Sequence, residues 1–331
     1  LSYGAQAKVG IAKQAAANSW QVNAGSYFGL GFLTEDIGLE KQELISQNLS
    51  GRFEQGAVYS GISNVHGTLQ MELTPRSLLA ACGMVLANSA TTVDSGSMRN
   101  WTFVPNTQDF SSTFVKPPIS IYKQWSDANS AELFYDCQAG QLDLAFGQGQ
   151  FLKGTVTIAG GTRLPTGIGS MAVTPLASDV GRLFPWNVTS ISYGGVGLSQ
   201  FSDFTISMNE NVGALYTVNG TLAPFKFTRT GFREVTVNGT FYMNDRSMLN
   251  NFVAETQQQL LITSINTKAA IQSGYYDTFV IDIPQLKITA CKPGNSGPGE
   301  VSVKFTGRGV LDPTSNYAFQ ILLQNTYQAT F

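Results

Sequence analysis

Acid, base and nucleophile chemistry would have to pass through very few side chains in this sequence. His66 is the single histidine, so a Ser-His-Asp or Cys-His arrangement could be built on that residue alone. It falls inside a segment that alternates as a strand, next to Gly67. The carboxylates Glu35 and Asp36, with Glu40 and Glu43 nearby, have the residue types of a glycosidase acid and base, but that chemistry needs a set separation across the scissile bond. They stand instead in a polar run, where adjacent carboxylates are solvated. Cys82, Cys137 and Cys291 are odd in number, widely spaced and without a CxxC pair, which fits neither a zinc site nor a disulfide scaffold. FGQGQ and GGTRLPTGIG are rich in glycine, yet they lack the lysine and following Ser/Thr of a phosphate-binding loop and the strand-to-helix setting of a dinucleotide fingerprint. The sequence therefore predicts no catalytic residue, no cofactor and no metal ligand set.

Composition points the same way. The chain has 331 residues, of which 13% are charged, and 34 are glycine. Soluble domains average about 25% charged residues, so polarity here comes from Ser, Thr, Asn and Gln. Surfaces covered by copies of the same chain are depleted in Lys, Glu and Asp at their centres, which makes self-association the natural reading. Lys and Arg number 20 against 22 Asp and Glu, so no basic field exists to hold nucleic acid by its phosphates. Free thiols suit assembly in a reducing cytoplasm. No run approaches the roughly 18 apolar residues of a membrane-spanning helix, and the first residues lack the basic and apolar regions of a secretory signal. The Asn-x-Ser/Thr triplets at Asn48, Asn187, Asn219 and Asn238 then read as chance matches in an Asn- and Thr-rich chain.

The elements that would carry any site emerge from an internal repeat. HGTLQMELTPRSLL, opening at His66, matches NGTFYMNDRSML, opening at Asn238. Gly67, Thr68, Met71, Arg76, Ser77 and Leu79 answer to Gly239, Thr240, Met243, Arg246, Ser247 and Leu249. Each copy reads as a strand feeding a short helix. Thr74 and Pro75 supply a cap and a first-turn proline, and Asn244 with Asp245 offers a cap and a carboxylate at the positive helix end. Leu78, Leu79 and Cys82, like Met248, Leu249 and Phe252, form one buried stripe. Downstream, QLDLAFGQGQFLKGTVTIAGG from Gln141 matches QLKITACKPGNSGPGEVSVKFTGRG from Gln285, each a hairpin. Period-two runs at PISIYKQW and LLITSIN precede them. A length well above the ~100–200 residues of one domain and a Gly/Pro/Thr-rich stretch from Gly160 to about Pro175 predict two tandem β-domains. They span 1–163, with an N-terminal arm of about 1–22, and 164–331. The fold class is mainly β, two β-barrel or β-sandwich domains, each with a short α-helix packed on its sheet.

In segment order, from about Val22 to Asn325, the chain resembles the tail tube proteins of long-tailed bacteriophages, in the longer form with a duplicated tube domain. FLTEDIGLEKQELISQNLSGRF, the Gly-Thr strand and TPRSLLAACGM look like the family's first half. ELFYDCQAGQLDLAF and LKGTVTIAGG resemble a later strand and hairpin, and FQILLQN a closing strand. The resemblance implies a virion component that is not an enzyme. Its main partner would be itself, as trimeric pseudo-hexameric rings stacked into a tube, assembled in the bacterial host cytoplasm. It also implies a tape measure protein and a tail terminator or distal tail protein as neighbours. Genomic DNA would pass through the lumen without specific binding, and no membrane is involved. Two polar stretches, read as long loops, are the candidates for contacts between subunits and rings. One runs from Glu35 to Phe53 and holds Glu35, Asp36, Glu40, Lys41, Glu43 and Arg52; the other, Asn209 to Thr221, holds Asn209, Glu210 and Asn211. A distal-tail, baseplate or secretion-tube ring protein of the same fold is the alternative, and a carbohydrate-binding or hydrolytic β-sandwich a third. The last needs stacking tryptophans, and Trp20, Trp101, Trp125 and Trp186 fall at loops or segment ends without repeated placement.

Overall fold

Alternating β-branched, aromatic and threonine residues fit a pleated, half-buried surface, and in the computed structural model they pair as strands through most of the chain. The structure describes residues 7–16, 27–46, 57–95, 98–125, 130–164, 173, 182–198, 201–218, 220–243, 246–272, 274–294 and 301–327. The first half contributes β1 (Lys8–Lys13), β2 (Phe28–Leu30), β3 (Thr34–Glu35), β4 (Gly38–Ile45), β5 (Val58–Glu72), α1 (Pro75–Val85), β6 (Ala87–Ser95), β7 (Met98–Pro105), β8 (Ile119–Gln124), β9 (Ala131–Gly147) and β10 (Lys153–Arg163). The second contributes β11 (Thr189–Tyr193), β12 (Val196–Gly197), β13 (Phe201–Asn209), β14 (Val212–Leu215), β15 (Lys226–Arg229), β16 (Glu234–Tyr242), α2 (Ser247–Val253), β17 (Gln257–Gln272), β18 (Tyr275–Gly294), β19 (Ser302–Val310) and β20 (Gln320–Asn325).

Helix α1 starts where the sequence places it. Thr74 caps it, its side chain accepting from the Ser77 N–H while the Ser77 hydroxyl accepts from the Thr74 N–H, and Pro75 opens the first turn. Leu78, Leu79 and Cys82 are fully buried. Helix α2 begins at Ser247 after Arg246, with no side-chain cap; Asn244 and Asp245 lie outside the described residues. Met248 is buried, and Leu249 and Phe252 pack against the same core.

The expected repeat is visible in how the strands pair. In the first half β4 lies beside β5, β5 beside β10 and β10 beside β9; in the second, β13 lies beside β16, β16 beside β19 and β19 beside β18. The glycines of the matched Gly-Thr pairs mark equivalent points. A Cβ on Gly67 would stand 2.5 Å from the Ile37 Cα and 2.7 Å from the Asp36 oxygen, and one on Gly239 2.8 Å from the Phe204 Cβ and 2.9 Å from the Asp203 oxygen. Only glycine admits so close an approach of the neighbouring strand. Asp36-Ile37 and Asp203-Phe204 are thus counterparts.

The two hairpins also correspond, but with a different register from the match of Gln141 to Gln285. Inward alternation in β9 breaks twice, from Phe134 to Cys137 and from Ala139 to Leu142. In β18 the same two breaks run from Ile283 to Leu286 and from Ile288 to Cys291. Such breaks are the mark of bulges, which shift a strand by one residue, and both strands show a register shift at the second of them. Aligned bulge to bulge, Cys291 takes the place of Leu142, two residues short of Pro293, to which the ladders from Gly67 and Gly239 lead.

Three readings are corrected. The stretch taken as an N-terminal arm holds β1, which pairs with β2 and β8 and buries Val9 and Ile11. The stretch from Glu35 is a strand rather than a loop, because β4 pairs with the N-terminal part of β5 as far as Ile45 opposite Val58. Asn209 to Thr221 holds the end of β13 and all of β14, which pairs with β15. The first is polar because it lies at an exposed edge, where a strand can be as hydrophilic as a loop; the second runs from a strand paired on both sides into a two-stranded hairpin. Pairings link the strands into one 18-stranded sheet that branches without closing into a barrel among the described residues. One core cluster draws on both halves, with Leu79, Leu142, Val156, Ile206, Val237 and Ile281 all buried in it.

Candidate assembly surfaces

The two repeats meet along a strand edge. β13 pairs antiparallel with the C-terminal part of β9, from Asp203 opposite Gly147 to Asn209 opposite Gln141. Phe204 stands opposite Phe146 in this ladder, and their rings stack with centroids 4.2 Å apart. Leu142, Leu144, Ile206 and Met208 point into the core. On the opposite face the junction is polar: the Gln141 Nε2 donates to the Ser207 hydroxyl at 3.1 Å and to Asp143 at 2.9 Å.

Among the described residues, two strand edges lack the partner that their counterparts in the other repeat have. β4 pairs with β5 alone, although its counterpart β13 is paired on both sides. Beyond Leu286 and Lys287, which face Gln258 and Gln257, β18 pairs with β19 alone, although its counterpart β9 is paired on both sides. A strand edge with unpaired N–H and C=O groups is a template for another chain.

The predicted contact residues divide between these edges and the interior. Glu40, Lys41 and Glu43 lie on the open edge strand and are exposed. Glu35 is turned inward, its carboxylate 2.8 Å from the buried Lys123 ammonium. Asp36 accepts from the Thr68 N–H and hydroxyl, and the Thr68 N–H holds its carboxyl below the usual carboxylate range. Arg52 lies outside the described residues. Asn209 closes the β13 ladder, and its side chain accepts from the Asn211 N–H at 2.8 Å. His66 sits in β5 with Asn64 2.9 Å from its Nε2. Trp101, read as a segment end, lies within β7, buried, its Nε1–H donating to Asn325.

Glu210 has a different role from its neighbours. It is fully buried and accepts from Arg229 and, at 2.9 Å, from the Arg233 Nε–H. Both arginines continue to Asn106, at 3.0 Å to its side chain and 2.7 Å to its carbonyl. This set ties the β14–β15 hairpin of the second half to the loop after β7 of the first. The signal in the sequence is slight, since an Asn-Glu-Asn run gives no hint of two arginines in a later strand and turn.

Lys116 belongs to the same region. It is buried, and its Nζ donates to the carbonyls of Val85, at 3.0 Å, and Ala139. Burial pulls its pKa down to about 7, Glu210 opposing the shift and Arg229 and Arg233 adding to it. An unfolded chain keeps a lysine protonated to about pH 10, so between about 7 and 10 the unfolded state binds more protons. Stability therefore rises with pH across that window and is flat with respect to this group below it. Thermal melts at about pH 7 and about pH 9 should show a rise in wild type that Lys116→Met lacks. Equal slopes in the two proteins would remove Lys116 as its source.

Among the described residues no cluster of three His, Cys, Asp or Glu side chains is placed to hold a metal ion, and no helix is long and apolar enough to cross a membrane. A family model described as phage tail tube protein matches residues 4–309. The chain belongs to the phage tail tube protein family. A search of curated proteins found no match. Membership makes this tail tube protein a structural component of the virion tail. The duplicated sheet, the short helices and the open polar edges are thus features of a tail protein.

Proposed function

We propose that this tail tube protein is the major tube subunit, closing as three chains into a pseudo-sixfold ring that stacks into the conduit for DNA ejection. Residues 1–163 and 164–331 are then two tube domains in alternating positions. The observation that carries the reading is the β9–β13 ladder. It joins β9, the outer strand of the β4-β5-β10-β9 set, to β13, the outer strand of the β13-β16-β19-β18 set, and leaves β18 and β4 as the same two surfaces at opposite ends. A contact of this head-to-tail kind repeats from chain to chain and closes if the rotation allows. Charge favours the match: Lys292 lies on the open part of β18 and Glu40 and Glu43 on the β4 side.

The junction also gives a register. Leu142 faces Met208; their counterparts are Cys291, in the bulge-to-bulge alignment, and Lys41. Transferring the ladder sets Cys291 opposite Lys41 of the next chain and Lys292 opposite its Glu40. The face of this sheet turned away from the core would line the lumen, with Thr68, Thr155, Thr205, Ser207, Thr236 and Asn238 along it. The same face carries Lys153, Lys304 and Arg308 but also Glu72, Asp143 and Glu234, so its cations are offset by carboxylates and DNA would slide without a net basic field to hold it. A tape measure protein and a terminator or distal tail protein would meet the tube inside and at its ends.

Cysteine placed in turn at Leu39, Lys41 and Glu43 tests the register, because Cys291 supplies the other thiol. Mild oxidation should link chains through Lys41→Cys well above the other two positions. Equal yields at all three, or none from assembled protein, would contradict the pairing.

A further inference from the structure

The β14–β15 hairpin occupies, between β13 and β16, the place that the far end of the β4–β5 pair occupies between β4 and β5. It leans back over the preceding repeat. The Phe227 N–H donates to the Thr113 carbonyl at 2.8 Å and its ring stacks on Phe114 with centroids 5.9 Å apart. Val212 is buried with them. Farther along, the Ser63 N–H of β5 donates to the Leu222 carbonyl at 2.8 Å. Among the described residues the matching end of the β4–β5 pair, here called the arm, meets this hairpin at Ser63 and at Ile62, which lines one cavity with Ala214 and Tyr216, and it stays largely exposed beyond them. Leu44 is 49%, Val58 56%, Tyr59 68% and Ile62 41% exposed.

We infer that the arm of one chain seats on the second repeat of the preceding chain, as the β14–β15 hairpin seats on the first. This rests on the ring reading above. Ser63, where the hairpin lands, has Val235 as its counterpart by the Gly67–Gly239 match. Val235 lines a groove of about 910 Å³ at the end of the sheet, together with Phe232, Arg308, Val310 and Leu311. Phe232, Val310 and Leu311 are exposed, and Arg308 is exposed beside Glu234 at 3.7 Å. Exposed aliphatic and tyrosine side chains beside Glu40 and Glu43 thus meet a groove of mixed lining, in which Phe232, Val310 and Leu311 stand beside the guanidinium groups of Arg229, Arg233 and Arg308. The proposed β18–β4 ladder runs in the direction that brings the arm to this end, because Leu44 falls opposite Ile288, from which β18 leads back to the partners of Gly309 and Val310. Those partners are Leu286 and Gln285.

Two single variants, Tyr59→Cys and Leu311→Cys, would be purified separately, mixed, allowed to assemble and oxidised. A disulfide-linked dimer well above the yield of either variant alone is expected, since only a contact between chains can form it. Tyr59→Asp, an exposed position that leaves the fold intact, should raise the concentration needed for assembly at least about tenfold, the loss of one well-buried interface tyrosine. Rings or tubes seen in the mixture without the dimer, and assembly of Tyr59→Asp at the wild-type concentration, would overturn the arm contact while leaving the ring intact. Failure of the wild-type chain to assemble at all would take both readings down.

Discussion

Replacing Glu40 with Lys is expected to block ring formation at concentrations where the wild-type chain assembles, and adding Lys292→Glu in the same chain should restore it. Neither residue is buried, so both single variants should fold and melt as wild type does; surface charges away from special features change stability by little. The effect belongs to the junction between chains, where the transferred register sets Lys292 against Glu40. Directly opposed like charges on adjacent strands destabilise by roughly 0.2–1 kcal/mol per pair. A ring of three chains closes three such junctions, so the deficits accumulate to about 1–3 kcal/mol, up to about a hundredfold in concentration. Mass measurements on the single variants and the exchanged pair read this out. Raising the salt should narrow the gap between wild type and Glu40→Lys, because exposed pairs are screened. Assembly of Glu40→Lys at the wild-type concentration, or failure of the double variant to recover, would put another residue across from Glu40.

Glu210→Ala is expected to lower the stability of the chain itself by about 3–5 kcal/mol, the range for breaking a buried ion pair and leaving its partner charge behind. Here two cations lose their acceptor, Arg229 and Arg233, and a third, Lys116, loses the nearby carboxylate that favours its charged form. The consequence reaches the junction between the repeats, because the Glu210 N–H continues the β9–β13 contact by donating to the Gly140 carbonyl at 2.8 Å. Denaturant titration should show an early loss of the β14–β15 hairpin or a lower midpoint for the whole chain. Glu210→Gln keeps the shape and one acceptor oxygen, so it should lose less. A variant as stable as wild type would mean that Asn106 and water satisfy both arginines.

Several features were legible because they depend on short-range chemistry. Thr74-Pro75 names a helix start whatever the surrounding fold, and the Gly-Thr strands with Arg-Ser-x-Leu after them fixed the repeat. Register was harder to read. Side chains alternate with a period of two, so Gln-Leu in each half suggested one alignment of the hairpins, while the bulges that shift each strand leave no local signature. The open edge β4 read as a loop because Glu40, Lys41 and Glu43 leave both of its faces charged and exposed, the kind of residues that blunt an edge in an isolated subunit. Glu210 read as a surface residue because its partners are distant in sequence, and burial of a carboxylate becomes favourable only when those guanidinium groups are brought to it.

A tube subunit of this kind adds to copies of itself edge to edge. Negative-stain electron microscopy of the purified protein over a range of concentrations, with mass photometry of the same samples, tests this most directly. Rings whose mass corresponds to three chains, stacking into hollow tubes as concentration rises, are the predicted result. A monomer at every concentration and salt would contradict it.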